Sequence, residues 1–153
     1  MFLKAQEVYT KFNEENVEIK IPKELLLTLL QQISRHIEVL RYEEEVIDNF
    51  AVRNNINNAE AIMTKLLLLI AEPYGRKEVV LAVSIAEFLI LRDLIFCNYS
   101  LLHLQEKMKP HILKEYQGLY KYIESIYGML DSDEVKSYWD YIKNYKINDS
   151  LLQ

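Results

Sequence analysis

Three histidines, one cysteine, a run of glutamates and an arginine–asparagine pair are the residues here whose types and spacing could do chemistry. His36, His103 and His111 are the only imidazoles, and none belongs to an E-x-x-H or H-E-x-x-H pattern. A di-metal carboxylate bundle takes a Glu-x-x-His pair from each of two helices, and zinc hydrolases take two histidines four apart on one helix face. With neither pattern present, the histidines read as hydrogen-bonded or solvated structural residues, and no metal and no cofactor is expected. Glu43, Glu44 and Glu45 are consecutive, so on a helix they diverge by about 100° each and form a solvated helix end rather than a ligand set. Cys97 follows Leu94, Ile95 and Phe96, where a free thiol behaves as a small hydrophobe. No Ser–His–acid or Cys–His arrangement is credible, and no catalytic residue is expected.

Arg92 precedes Asn98 by six residues. This spacing resembles the R-x4-6-H motif of the HEPN family of helical ribonucleases, whose members carry histidine at the second position. Net charge opposes the likeness. Lys and Arg total 18 against 23 acids, giving −5, whereas a nucleic-acid binder carries a basic excess that displaces counterions from phosphates. Nucleic-acid binding and nuclease activity are therefore not expected, and a HEPN-type ribonuclease stays only as the enzyme alternative.

The elements that would position these residues are helical. The chain has 153 residues, 50% of them hydrophobic and 27% charged, with three Gly and three Pro. A chain of this size buries about 68–70% of its unfolded surface, enough for one core. So few turn residues exclude a sandwich of short strands. Residues 1–20 are polar with isolated apolar positions and read as an N-terminal arm rather than a core helix. Pro22 marks a helix start, followed by Leu25, Leu26, Leu29, Leu30, Ile33, Ile37 and Leu40 at helical spacing. A second helix is expected from Asn49 to Glu72, broken by Pro73, Tyr74 and Gly75. A third, Lys77 to about Tyr99, is apolar on nearly every side, as suits a central helix or one with a face awaiting a partner. Pro110 starts another, and Asp131-Ser132-Asp133-Glu134 caps a last one, with fraying expected over residues 147–153. The fold class is all-α: one domain, an antiparallel bundle of four to five helices with a C-terminal extension over 131–153. The apolar run Val79–Leu91 is interrupted by Ser84 and Glu87 and falls short of the about 20 residues of a membrane span. One cysteine, no apolar leader within Met1–Lys11 and no span make a cytoplasmic location the expectation.

One pattern goes further. Phe12, Val17, Pro22 and Leu25 have the spacing of the aromatic-x4-Val-x4-Pro-x-x-Leu opening of the flagellin export chaperone family FliS. The segment Ile56–Ile70 resembles that family's second helix, with Ala59, Ile62, Met63 and Leu66 on its apolar positions. After a short loop insertion near Glu72–Lys77, Leu89–Asn98 is similar to the end of its third core helix, where Leu94, Cys97 and Asn98 match Leu, Ala and Asn. The likeness spans roughly residues 9–125. It departs at the opening tyrosine (Phe12), at the Leu-Tyr of the first helix (Leu29-Leu30), at the absent Gly-Gly-Glu, and beyond residue 125, where Trp139 lies.

The resemblance implies a non-enzymatic cytosolic bundle that binds the disordered C-terminal segment of flagellin, prevents premature polymerisation and assists export. The partners implied are that segment or another secreted helical client, together with flagellar export components. Carried over by position, the partner-binding residues are Phe12, Val17, Pro22, Leu25, Ile56, Ala59, Ile62, Met63, Ile90, Leu94 and Asn98. The arm is expected to fold back over the client groove. A helical adaptor or immunity-type protein with an unrelated partner is the alternative.

Overall fold

Between residues 16 and 22 the side chains alternate: Val17, Ile19 and Ile21 are apolar, Glu18 and Lys20 charged. That period of two suits a strand with one buried face. A second stretch, rich in valine at Val79, Val80 and Val83, has the composition to pair with it. The computed structural model describes residues 2–47, 49–72, 75–102 and 108–151 and joins the two stretches in an antiparallel sheet. Strand β1 (Asn16–Pro22) lies beside β2 (Glu78–Ser84), with Ile19 opposite Leu81. The helices are α1 (Phe2–Glu14), α2 (Leu26–Val46), α3 (Phe50–Ala71), α4 (Ile85–Leu102), α5 (Pro110–Met129) and α6 (Ser132–Leu151). The protein is predominantly all-α, a helical bundle with one small sheet. No helix among the described residues is long and apolar enough to cross a membrane.

Several ends follow local chemistry. Pro22, with φ −58°, precedes a single 3-10 turn (Lys23–Leu25) that runs into α2. The Asn49 side chain accepts from the Val52 N–H at 3.0 Å and caps α3. Pro110 is the first residue of α5, where its missing N–H is not needed. Asp131 Oδ1 accepts from the N–H groups of Asp133 (2.9 Å) and Glu134 (3.3 Å) at the start of α6. Helix α3 ends at Ala71, ahead of Pro73 and Tyr74, which lie outside the described residues, as does His103.

Three expectations change. Where an arm rather than a core helix was expected, Phe2–Glu14 are a helix and Asn16–Pro22 a strand. Val8 and Phe12, four apart on one face of α1, are buried, and the polar run Asn13–Asn16 is the exposed corner between α1 and β1. The helix count is accordingly six rather than four to five among the described residues; α6 is bounded by Ser132 and Leu151, and residues 152 and 153, the end of the stretch expected to fray, lie outside the described residues. The stretch from Lys77 is a strand followed by a helix, not one helix. Its turning point is a capping box: the Glu87 N–H donates to Ser84 Oγ at 3.0 Å, and the Ser84 N–H donates to Glu87 Oε1 at 2.8 Å. Lys65 Nζ of α3 reaches the same oxygen at 2.7 Å. Replacing Glu87 by Ala is expected to cost about 1–3 kcal/mol, because it removes the cap and strips Lys65 of its partner. Glu87→Gln keeps an acceptor and should lose less. Urea titration measures both, and equal midpoints for wild type and Glu87→Ala would reject the capping role.

Helix α4 packs against α1, α2, α3 and α5, so its all-round apolarity is that of a central helix. On one side lies the main core, built from Leu29 and Ile33 of α2, Ile62 and Leu66 of α3, the inner face of the sheet, and Tyr116 and Ile123 of α5. A second cluster joins Val8 and Phe12 of α1 to Ile85 and Leu89 of α4 and to Val135, Tyr138, Tyr141 and Ile142 of α6. Tyr9 stacks on Tyr138 with ring centroids 5.9 Å apart, and the Asn54 amide donates to the Tyr138 hydroxyl at 3.0 Å. Burial pushes that hydroxyl up to about 12. The part of α6 from Val135 to Ile142 is thus built into the core.

Candidate partner-binding surface

Two rows of apolar residues run along α2. One, with Leu26, Leu29, Ile33, Ile37 and Leu40, is buried. The other stands roughly two-fifths of a turn away, at 100° per residue: Val39, Tyr42 and Val46 are 55%, 69% and 68% exposed. Their spacing of three and four keeps them on one face. The same face begins with Gln32, Arg35 and His36, which form one wall of a recess of about 200 Å³. The other wall is Asp93, Leu94, Cys97 and Asn98 of α4. Leu101, also exposed, continues that face one turn beyond Cys97.

Val39, Leu94 and Cys97 are the apolar residues of its lining, beside five polar ones. Partial burial pushes the His36 imidazole below its ordinary pKa, against the pull of Glu43 and Asp93, and so favours its neutral form. Burial likewise holds the Asp93 carboxyl above its usual range, with Arg92 and His36 opposing. The Asn98 amide donates to its own helix at the Leu94 carbonyl, 2.8 Å away. Cys97 is exposed rather than packed as a small hydrophobe. Leu94 and Ile95 turn to the core, and two or three further steps around the helix bring Cys97 out.

The residues expected to bind a partner are not gathered on one surface. Phe12, Leu25, Ile56, Ala59, Ile62, Ile90 and Leu94 are buried core residues. Val17 and Met63 are half-buried and pack against the core, and the Ser34 hydroxyl lies 3.7 Å from the Met63 sulfur. Pro22 closes β1 at the opposite end of α2 from Val46. Of the whole set, Leu94 and Asn98 are the two that line the α2–α4 recess. Phe12 belongs to the α1–α4–α6 cluster and does not lie over that recess, so the arm is not placed as its cover.

Arg92 faces elsewhere. Its Nε and Nη2 donate to the two carboxylate oxygens of Glu124 at 2.8 and 3.1 Å, and Nη1 donates to Asp93 at 3.4 Å. Its guanidinium carbon stands 4.7 Å from the Phe96 ring centre and 4.2 Å from that of Tyr127. The Glu124 hydrogen bonds raise its pKa further. Arg92 is therefore committed to α5 while Asn98 opens toward α2, and the two do not converge on one phosphate. Among the described residues no group of three His, Cys, Asp or Glu side chains could hold a metal ion, and His111 lies 3.6 Å from the Glu24 carboxylate.

Sequence reasoning missed the outer α2 row because the buried row on the same helix dominated the pattern. It also missed a charged region at the end of the sheet. There a cleft of about 740 Å³ is lined by Lys23, Arg76, Lys77, Glu24, Glu78 and Glu115 with Pro22 and Gly75. A second cleft of about 370 Å³, with Lys20, Lys114, Leu119 and Tyr122, shares Pro22, Glu78 and Glu115 with it. The signal available was the run Arg76-Lys77 in a chain of net charge −5. No family model, curated protein or solved structure matches this chain.

Proposed function

We propose that this protein is a non-enzymatic, chaperone-like binder of a helical client segment. The client implied by the FliS resemblance is the disordered C-terminal segment of a flagellin. The observation that supports the reading is the exposed row Val39, Tyr42 and Val46 beside the α2–α4 recess. Three large apolar side chains on one helix face, with Leu101 across the recess, suit the apolar stripe of an amphipathic helix that folds as it docks. In this reading the buried family-like positions of α3 and α4 shape the groove from beneath, and flagellar export components are further partners.

A second reading, a helical adaptor with an unrelated partner, is favoured by two features outside the resemblance: the β1–β2 sheet, and α6 built into the core. Both readings use the same surface and differ in the occupant.

Calorimetry with the flagellin C-terminal peptide, against a scrambled control, separates them. Binding with a negative ΔCp is expected, as apolar burial requires, and Val39→Asp combined with Tyr42→Asp should weaken it at least tenfold. No heat and no complex up to high micromolar peptide would reject flagellin as the client. Binding untouched by the two aspartates would reject the α2 surface.

A further inference from the structure

The outer face of α2 carries a charge pattern as well as an apolar row. Two neighbours mark its sides: His36 lines the recess toward α4, and Arg41 is paired with Glu60 of α3. At about 100° per residue, Glu43 stands on the α4 side of the row Val39, Tyr42 and Val46, while Glu38 and Glu45 stand on its α3 side. All three glutamates are exposed. Among the described residues none of them has a cation within ion-pair distance. Arg35, exposed one turn before Val39, lies outside the stretch that the glutamates span. Burial favours the neutral form of His36, which weakens it as a counterion. The last turn of α2 holds no basic residue, so the negative end of the helix dipole adds to the glutamates. The apolar row thus runs between two acidic rims.

We infer that the occupant of this face is a basic amphipathic helix of a partner protein. Its apolar stripe covers Val39, Tyr42 and Val46, and lysines or arginines on its two flanks face Glu43 on one side and Glu38 and Glu45 on the other. The inference rests on the α2 surface being the client site, as proposed above, and adds the chemistry of the client. Apolar rows at a spacing of three and four seat a helix, and the charges beside the row select which helix. Cations on its flanks meet glutamates that have no other partner, whereas acidic flanks are repelled on both sides. The same rims oppose other occupants. A phosphate backbone or an anionic lipid surface brings further negative charge to them. A second copy of this chain brings its own three glutamates. Paired antiparallel about Val39 and Tyr42, Glu38 comes beside Glu45 of the second copy; paired parallel, it comes beside Glu43.

The probe is a fluorescein-labelled peptide with leucines at helical spacing and lysines on both flanks, titrated into the full chain and followed by anisotropy. One matched peptide carries glutamates in place of the lysines; another keeps the lysines and scrambles the leucine spacing. Expected is saturable binding of the first peptide, with each matched peptide at least tenfold weaker. Glu38→Lys with Glu43→Lys and Glu45→Lys should reverse the preference between lysine and glutamate flanks, and these exposed positions leave the core intact. Val39→Asp with Tyr42→Asp should weaken the lysine-flanked peptide at least tenfold even though it adds negative charge. Equal affinity for lysine and glutamate flanks, lost in the Val39 and Tyr42 variant, overturns the basic occupant and leaves the client surface standing. Scrambled leucines that bind as tightly as the intact stripe, or no binding of the lysine-flanked peptide, also overturn it, while the flagellin peptide decides the underlying reading separately. Lysine-flanked binding that survives the two aspartates overturns the surface itself. A dimer by sedimentation that excludes the peptide would assign the face to a second copy instead.

Discussion

A chain ended after Leu130 is expected to lose its cooperative unfolding transition. The residues removed include α6, which contributes Val135, Tyr138, Tyr141 and Ile142 to the second cluster. Fully burying one large apolar side chain contributes about 1.5–3 kcal/mol. Four of them together rival the whole stability of a domain, roughly 5–15 kcal/mol. The loss also uncovers Val8, Phe12, Ile85 and Leu89 on the remaining chain and takes from the buried Asn54 its hydroxyl partner. Near-ultraviolet circular dichroism and thermal unfolding of the truncated chain measure the effect. A melting temperature within a few degrees of the full chain would mean that α6 is a dispensable appendage, contrary to its burial here.

Phe12→Ala should lower global stability by about 3–5 kcal/mol, the usual cost of truncating a buried aromatic side chain. For a chain of this length about 2–4 °C is lost per kcal/mol, so the melting temperature should fall by roughly 6–20 °C. Phe12 is 2% exposed and its ring lies 5.4 Å from that of Tyr138, so no solvent-facing conformation relieves the loss. Client affinity per folded molecule should not change, because Phe12 does not line the α2–α4 recess. A removable lid would behave in the opposite way, with an unchanged melting temperature and tighter client binding. Measuring both quantities on the one variant decides between a core helix and a cover.

Much of the helical frame was legible from neighbouring residues. Three glycines and three prolines in 153 residues left no turn chemistry for a strand-rich fold. Asn49, Pro110 and Asp131 mark helix starts because a cap acts on N–H groups two or three residues away, within one stretch of sequence. Some local signals were present and read for the wrong element. The alternation Val17–Ile21 is a strand pattern inside a segment taken for an arm. Ser84-x-x-Glu87 is a capping box that looked like an interruption in an apolar helix.

The site was less legible than the frame. Similar apolar residues on α2 differ only in which row the neighbouring helices cover, so Ile37 is core and Val39 is surface. A periodic pattern records a face, not what packs on it. Most residues singled out by family-like spacing are apolar and helical, and such residues are what a core selects first.

By itself the sequence determined the all-α class, the starts of α3, α5 and α6, and the acidic balance, since each depends on composition or on contacts within one helical turn. Only the tertiary structure decided that Val17–Ile21 is a strand, that α1 and α6 close a second core, and that β1 pairs with β2. Each of these depends on residues far apart in sequence: β1 meets β2 across a register that sets Ile19 against Leu81, and Phe12 meets Tyr138. Pairing and burial over such separations are fixed by how whole elements pack, because loop closure must be met before any of these contacts stabilises the fold.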